Sequence, residues 1–192
     1  MIRAFAAISL PPQVTGKLCA AQSGLPSGRP VPEENFHITL AFLGEHPEPL
    51  VEDVHLALER IRAPAFDLSL SGVGLFGSDK HRVLYAGVNP SAGLGHLHEK
   101  VLRAARAAGI ELARVRYNPH VTLARFNFGL RGEAAQEMRD FAATRAGLRA
   151  GPFPVTEFAL FRSNLGRNGP IYEELATYPL GGAGVHGAQI GK

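Results

Sequence analysis

One short segment occurs twice in this chain, and the repeat constrains the fold more than any other feature of the sequence. The segments Asn35–Ala41 (Asn-Phe-His-Ile-Thr-Leu-Ala) and Asn118–Ala124 (Asn-Pro-His-Val-Thr-Leu-Ala) agree at five of seven positions. The exchange of Ile38 for Val121 keeps a β-branched side chain, which favours an extended backbone in both copies. We therefore predict that each copy forms the same strand in one of two related halves.

The repeat also predicts a surface on which polar side chains meet. Residues two apart in a strand share a face, so His37 lies beside Thr39, and His120 beside Thr122. A single histidine on a strand is more often structural than catalytic, but its recurrence in a matched frame favours a functional site. If an approximate two-fold axis relates the halves, both pairs face one groove, where two imidazoles can transfer protons.

Other chemistries of paired histidines fit the sequence less well. A zinc site usually adds Cys, Asp or Glu, and neither copy carries a carboxylate or thiol beside its His-Thr face. A serine nucleophile of the Gly-x-Ser-x-Gly type is absent from the sequence. We therefore expect no bound metal. The histidines without a matched frame are expected to be structural or solvated: His46, His55, His81, His96, His98 and His186.

Composition limits the compartment and the partners. A chain of 192 residues with 45% hydrophobic content can bury a core without covalent staples, and the single Cys19 favours a reducing interior. The apolar segment Ala4–Leu10 runs into two prolines and is predicted to be a strand, not a signal or membrane span. The net charge of +3 fits an anionic partner such as RNA without requiring one. We expect a cytoplasmic protein.

Hydrophobic spacing and the positions of Gly and Pro predict alternating strands and helices. The fourth helix is expected to bury Ala134, Met138 and Phe141, and residues 23–32 are expected to form a loop. Strands are predicted at Ile2–Leu10, Asn35–Leu43, Phe66–Leu70, Arg82–Val88, Tyr117–Phe126, 155–162 and 171–178, and helices from Pro12, over Val51–Ile61, over Leu94–Ala105 and over Glu133–Arg145.

The repeated motif and its surroundings resemble the 2H phosphoesterase superfamily, and in particular the RNA 2′,3′-cyclic phosphodiesterases, also called 2′-5′ RNA ligase-like proteins. The likeness covers residues 3–11, 32–44, 82–85, 119–125 and 160–165. It implies an α+β bilobal fold over residues 1–180, in which two pseudo-symmetric antiparallel sheets are flanked by helices and enclose a central groove. A Gly-rich tail, residues 181–192, would follow.

The resemblance also implies an activity. A terminal 2′,3′-cyclic phosphate of RNA would be opened to a 2′-phosphate without metal or cofactor, and the reverse reaction would form a 2′-5′ linkage. His37 would donate a proton and His120 accept one, while Thr39, Thr122 and Arg125 would bind the phosphate. Strict alternation, however, places Arg125 on the face opposite His120. Phosphate contact then requires a bulge, a twist or a long reach, and otherwise Arg125 only braces the structure.

Several alternatives stay open at this point. The same histidines would serve a different cyclic nucleotide, an ADP-ribose cyclic phosphate or a tRNA-splicing intermediate, and the groove would also suit a non-catalytic RNA- or nucleotide-binding module. Phe42 and Tyr85 are candidates for stacking on bases, but strand aromatics are more often core, and we place both outside the site. We expect a monomer, because one chain supplies both halves of the groove.

Overall fold

The computed structural model describes residues 1–77, 81–113, 115–166 and 169–181, excluding the side chains of His81, Asn127 and Phe128. The tail predicted at 181–192 lies outside the described residues apart from Gly181, and so does His186. None of the helices in the described part is both long and apolar enough to span a membrane.

Strands and helices alternate along the chain, and a short 3₁₀ turn, Glu33–Asn35, leads into the first copy of the motif. The elements of the described residues are β1 (Ile2–Ser9), α1 (Pro12–Gln22), β2 (Arg29–Pro30), β3 (His37–His46), α2 (Glu48–Glu59), β4 (Phe66–Phe76), β5 (His81–Val88), α3 (Ala92–Ala107), β6 (His120–Leu130), α4 (Gly132–Ala143), β7 (Arg149–Val155), β8 (Glu157–Gly166) and β9 (Gly169–Pro179).

The strands form two antiparallel sheets, which confirms the α+β prediction. One sheet has the order β3-β1-β8-β9 and the other β2-β6-β5-β4-β7. The two copies of the motif therefore lie in different sheets, on β3 and β6. These two strands contact each other, and α3 packs against β3 and β4. The arrangement brings the repeated segments together at the junction of the sheets.

The helices cover the sheets with apolar stripes. Along α3 the buried residues are Leu94, Leu97, Val101 and Ala105, as the sequence spacing predicts. The prediction for α4 is confirmed only at Met138. Ala134 is exposed, Phe141 is half-buried and packs against the core, and the buried stripe consists of Ala135, Met138 and Ala142. Ala134 and Ala135 are chemically identical neighbours, so composition gave no signal to separate them.

Two strands fall where the sequence predicts none. β2 lies inside the predicted loop at residues 23–32, and β7 contains Pro152 and Pro154. Both are outer strands of the second sheet, where proline is tolerated because one side of the strand needs no hydrogen-bonded neighbour. Their extended conformation depends on β6 and β4, which lie far away in sequence.

Replacement of Leu97 tests the core beneath the sheets. Leu97 on α3 is fully buried, whereas Leu56 on α2 is 45% exposed, so the two leucines form a matched pair on helices. We expect Leu97→Ala to lower the free energy of unfolding by about 2–5 kcal/mol, because it removes buried methyl groups and leaves a cavity. Leu56→Ala should lower it by less than about 1 kcal/mol. Urea denaturation measures both, and equal losses would contradict this core.

Candidate active site

The motif strands present their His and Thr side chains on one partly exposed face. On β3, His37 and Thr39 are half-buried and the intervening Ile38 is fully buried. On β6, His120 and Thr122 have the same environment. Each pair thus faces the junction of the sheets while its aliphatic neighbours fill the core.

A β-bulge on β6 places Arg125 on this same face. Thr122 and Ala124 pair with adjacent residues of β5, so Leu123 between them has no partner there. Leu123 and Ala124 are consequently both buried, and Arg125 is exposed on the side of Thr122. The strict alternation that puts Arg125 opposite His120 is therefore wrong, because the extra residue shifts the phase of the strand.

An equivalent bulge lies on β3. The residues flanking Leu40 pair with adjacent residues of β1, and the burial pattern of β3 matches that of β6. Phe42 occupies the position of Arg125 and is 51% exposed, so its interpretation as a core residue is wrong. The Arg3 guanidinium lies 4.9 Å from the centre of the Phe42 ring. The halves share a backbone path but differ in charge.

Side chains from other elements stabilise both bulges. The carbonyl oxygen of Leu123 accepts hydrogen bonds from Val31 N at 2.8 Å and from Gln22 Nε2 at 2.5 Å. The carbonyl oxygen of Leu40 accepts a bond of 2.7 Å from His98 Nδ1. An irregular carbonyl that would lack a strand partner is thus satisfied in each half. His98 has a structural contact, in line with its interpretation from sequence.

The two imidazoles are oriented by the same hydrogen bond. His37 Nδ1 donates to the carbonyl oxygen of Asn35 at 2.8 Å, and His120 Nδ1 donates to that of Asn118 at 2.8 Å. A carbonyl oxygen only accepts, so Nδ1 carries the proton in both rings and Nε2 is the nitrogen left for a ligand. The same hydrogen bond occurs in both copies of the motif and fixes the same tautomer in both rings.

Burial and positive charge keep both histidines neutral. Burial lowers the pKa of His37 to about 4, and the charges of Arg125 and His120 add to that lowering, while the hydrogen bond that His37 donates to the Asn35 carbonyl opposes it. Burial also lowers the pKa of His120, again reinforced by Arg125. At neutral pH both rings are therefore neutral in the free protein. His37 is thus influenced by the charges of Arg125 and His120, and His120 by that of Arg125.

Aromatic rings flank each imidazole, and the sequence analysis missed most of them. Tyr85, which we placed outside the site, is one of these neighbours. Tyr172 lies in a predicted strand without any motif, and Phe76 lies beyond the predicted end of its strand. The contacts are Phe5 and Tyr172 at His37, and Phe76 and Tyr85 at His120, with ring-centre separations of 4.7 to 5.7 Å.

A cavity of about 260 Å³ lies beside His37. Thr122 and Arg125 from β6 line it, together with Arg29 from β2 and Tyr172 from β9. The structure thus brings three of the predicted site residues into one cavity. Thr39 lies on the His37 face of β3, and His120 lies close enough to affect the pKa of His37, but neither belongs to the lining of this cavity. The combination of imidazole, hydroxyl and guanidinium suits an anion.

Comparisons with known proteins identify relatives of this chain. A protein from Aeropyrum pernix named RNA 2′,3′-cyclic phosphodiesterase is 36% identical over 81% of this chain and 87% of its own length. A protein of the same name from Geobacillus stearothermophilus is 36% identical over 85% of this chain. The chain spans about half the length of that second relative, with 51% covered.

Solved structures and a family model extend the likeness to the whole fold. The apo structure of E. coli LigT has a TM-score of 0.76 and 28% identity, and covers 93% of this chain and 97% of its own. The model of the 2′-5′ RNA ligase superfamily matches residues 20–167. With both histidine motifs inside the matched segment, the chain belongs to the 2′-5′ RNA ligase superfamily, a group of 2H phosphoesterases.

Proposed function

We propose that this protein is an enzyme that hydrolyses the 2′,3′-cyclic phosphate end of RNA to a 2′-phosphate, by metal-independent acid–base catalysis with two histidines. The observation that carries the proposal is the matched pair His37 and His120, each with Nδ1 bound to a carbonyl and Nε2 available. The names of the relatives support the substrate class.

Two proton transfers accompany the proposed reaction. His120 accepts a proton from water through Nε2 as the water oxygen bonds to phosphorus. His37, as imidazolium, donates a proton from Nε2 to the 3′-oxygen as the bond between phosphorus and that oxygen breaks. One water is consumed, and the product carries a 2′-phosphate and a 3′-hydroxyl. When a 5′-hydroxyl attacks phosphorus in place of water, His120 accepts its proton, the same 3′-oxygen leaves with the proton from His37, and the product is a 2′-5′ linkage.

The remaining site residues hold the phosphate in this proposal. Thr39 and Thr122 donate hydroxyl hydrogen bonds to its nonbridging oxygens, and Arg125 donates through its guanidinium. These donors balance the negative charge that grows on the oxygens during attack. The bulge at Leu123 supports the role of Arg125, because it places this side chain in the same cavity as His37. Since both motifs lie in one chain, we propose that the protein acts as a monomer.

In this proposal, binding of the substrate favours the protonation of His37. With a pKa of about 4, the ring carries a proton only rarely at neutral pH in the free protein. The bound phosphate anion offsets the charge of Arg125 and favours the imidazolium. The active protonation state therefore forms with the substrate bound.

Removal of either histidine tests the mechanism. We expect His37→Ala and His120→Ala each to lower kcat on an RNA with a 2′,3′-cyclic phosphate end by about 10²–10⁴-fold, because each removes one proton transfer. His96→Ala is the matched control, since His96 is exposed on α3, and should retain full activity. Turnover is measured in the presence of EDTA, and the product end is identified by chromatography against 2′- and 3′-phosphate standards.

Three results would contradict the proposal. Binding of this RNA without turnover would indicate a binding module. Full activity in either histidine variant would exclude the two-histidine mechanism, and activity lost in EDTA and restored by a divalent metal would require a metal site.

The pH dependence follows from the lowered histidine pKa values. Because kcat/KM reports the free enzyme, its bell-shaped profile should peak below pH 6.5, where one of the two rings is protonated. The profile of kcat reports the bound state and should peak at higher pH, because the phosphate anion raises both pKa values. Initial rates from pH 4 to 9 measure both. Coincident maxima would show that bound phosphate leaves the histidines unaffected.

Replacement of Arg125 tests its position independently of turnover. Arg125→Gln should raise the pKa of both His37 and His120, because it removes a positive charge that disfavours each imidazolium. NMR titration of the histidine Cε1 protons measures both values. Arg103→Gln, an exposed change on α3, is the control and should leave them unchanged. Unchanged values in Arg125→Gln would place the guanidinium outside the site.

A further inference from the structure

A second arginine stands directly opposite Arg125. Arg29 of β2 pairs in register with Arg125 of β6, both side chains are exposed, and both line the cavity beside His37. Like charges at opposed positions of paired strands repel each other. Among the described residues, no hydrogen bond or ion pair engages either guanidinium. A bound anion would therefore reduce the repulsion between the two guanidinium groups.

The local structure holds Arg29 in this position. Gly28 before it has a φ of +92°, and a Cβ there would overlap a phenylalanine ring of β6. After it, Val31 N donates to the carbonyl oxygen of Leu123 at 2.8 Å. Gln22 Nε2 donates to the carbonyl oxygens of both Val31 and Leu123, at 2.9 and 2.5 Å. The two-residue strand is thus fixed to the bulge of β6, and Arg29 is held beside Arg125.

With His37 protonated, as the proposed reaction requires, the cavity carries one positive charge more than a singly charged cyclic phosphate neutralises. Its lining contains Arg29, Arg125 and Glu34, a net charge of +1 with His37 neutral. Within the proposed function, Arg125 and Thr122 serve the reacting phosphate. Side chains as long as arginine, starting from neighbouring positions on paired strands, can contact two successive phosphates of one strand. RNA carries such a second phosphate on the 5′-oxygen of its last nucleoside.

We infer that Arg29 binds the phosphodiester immediately 5′ of the terminal nucleoside, so that the site distinguishes an RNA end from a free nucleoside cyclic phosphate. This inference rests on the proposed function, because it assigns the reacting phosphate to Arg125 and the histidines. Arg29 then determines specificity and takes no part in proton transfer.

Three substrates that differ in one charge test the inference. Adenosine 2′,3′-cyclic phosphate lacks the 5′ phosphodiester. The dinucleotide ApA with a 2′,3′-cyclic phosphate end contains this phosphodiester and its negative charge. In the third substrate, a neutral methylphosphonate linkage replaces the phosphodiester of the same dinucleotide. The wild-type protein should prefer the charged dinucleotide in kcat/KM by about tenfold over both others, as expected for one charge-assisted contact. Arg29→Gln should remove this preference by lowering kcat/KM on the charged dinucleotide alone.

Two further variants control the experiment. Arg29→Lys keeps the charge and should keep part of the preference, and Arg103→Gln on α3 should behave as the wild-type protein. Circular dichroism and thermal unfolding, compared with the wild-type protein, show whether Arg29→Gln is folded. An equal loss on all three substrates would overturn the inference, because Arg29 would then act on the reacting phosphate. No loss on any of them would overturn it too.

Failure of the proposed function gives a different result. If the wild-type protein turned over none of the substrates, the proposed hydrolysis would be contradicted. Isothermal titration with the two dinucleotides then decides the inference, because a preference for the charged linkage needs no catalysis. A preference of about tenfold that Arg29→Gln abolishes would support it, and equal affinities in the wild-type protein would overturn it.

Discussion

The site depends on one unpaired residue in each motif strand. Without the bulges at Leu40 and Leu123, strict alternation would bury Phe42 and Arg125 or turn them away from the histidines. The extra residue lets two consecutive aliphatic side chains enter the core and returns the next one to the groove. The freed carbonyls need donors, and His98, Val31 and Gln22 supply them from elements outside the motif. The packing of α1, β2 and α3 is therefore part of what shapes the active face.

A second constraint acts on the imidazoles themselves. The carbonyls of Asn35 and Asn118 fix the Nδ1 tautomer, so each ring can rotate little and presents Nε2 to the groove. In both copies the accepting carbonyl belongs to the repeated asparagine two positions before the histidine. Burial then lowers the pKa of both rings, and Arg125 lowers it further. The free site is thus a neutral pair beside a cation, and an entering anion changes the balance in favour of protonation.

Strand alternation and helical spacing predict those features of the fold that depend on neighbouring residues alone. The face that carries His37, Thr39, His120 and Thr122 follows from strand alternation, and the stripe of α3 follows from helical spacing. The position of Arg125 does not, because a bulge depends on how β6 pairs with β5. The strands β2 and β7 also depend on partners distant in sequence. Tyr172 and Phe76 become neighbours of the histidines only through the sheet order, which no segment encodes alone.

The two halves share the backbone path of the motif strands but differ in their charged side chains. The two sides of the groove therefore differ in charge. On the β6 side, Arg125 and Arg29 stand together in the cavity; on the β3 side, Phe42 takes the arginine position and Arg3 lies over its ring. Burial raises the pKa of Tyr172, and the charges of Arg125 and Arg3 both oppose that rise. A symmetric pair of histidines could exchange roles freely. In the proposed reaction, the cations beside β6 favour an anionic strand on that side, so that one histidine faces the attacking water and the other faces the leaving 3′-oxygen.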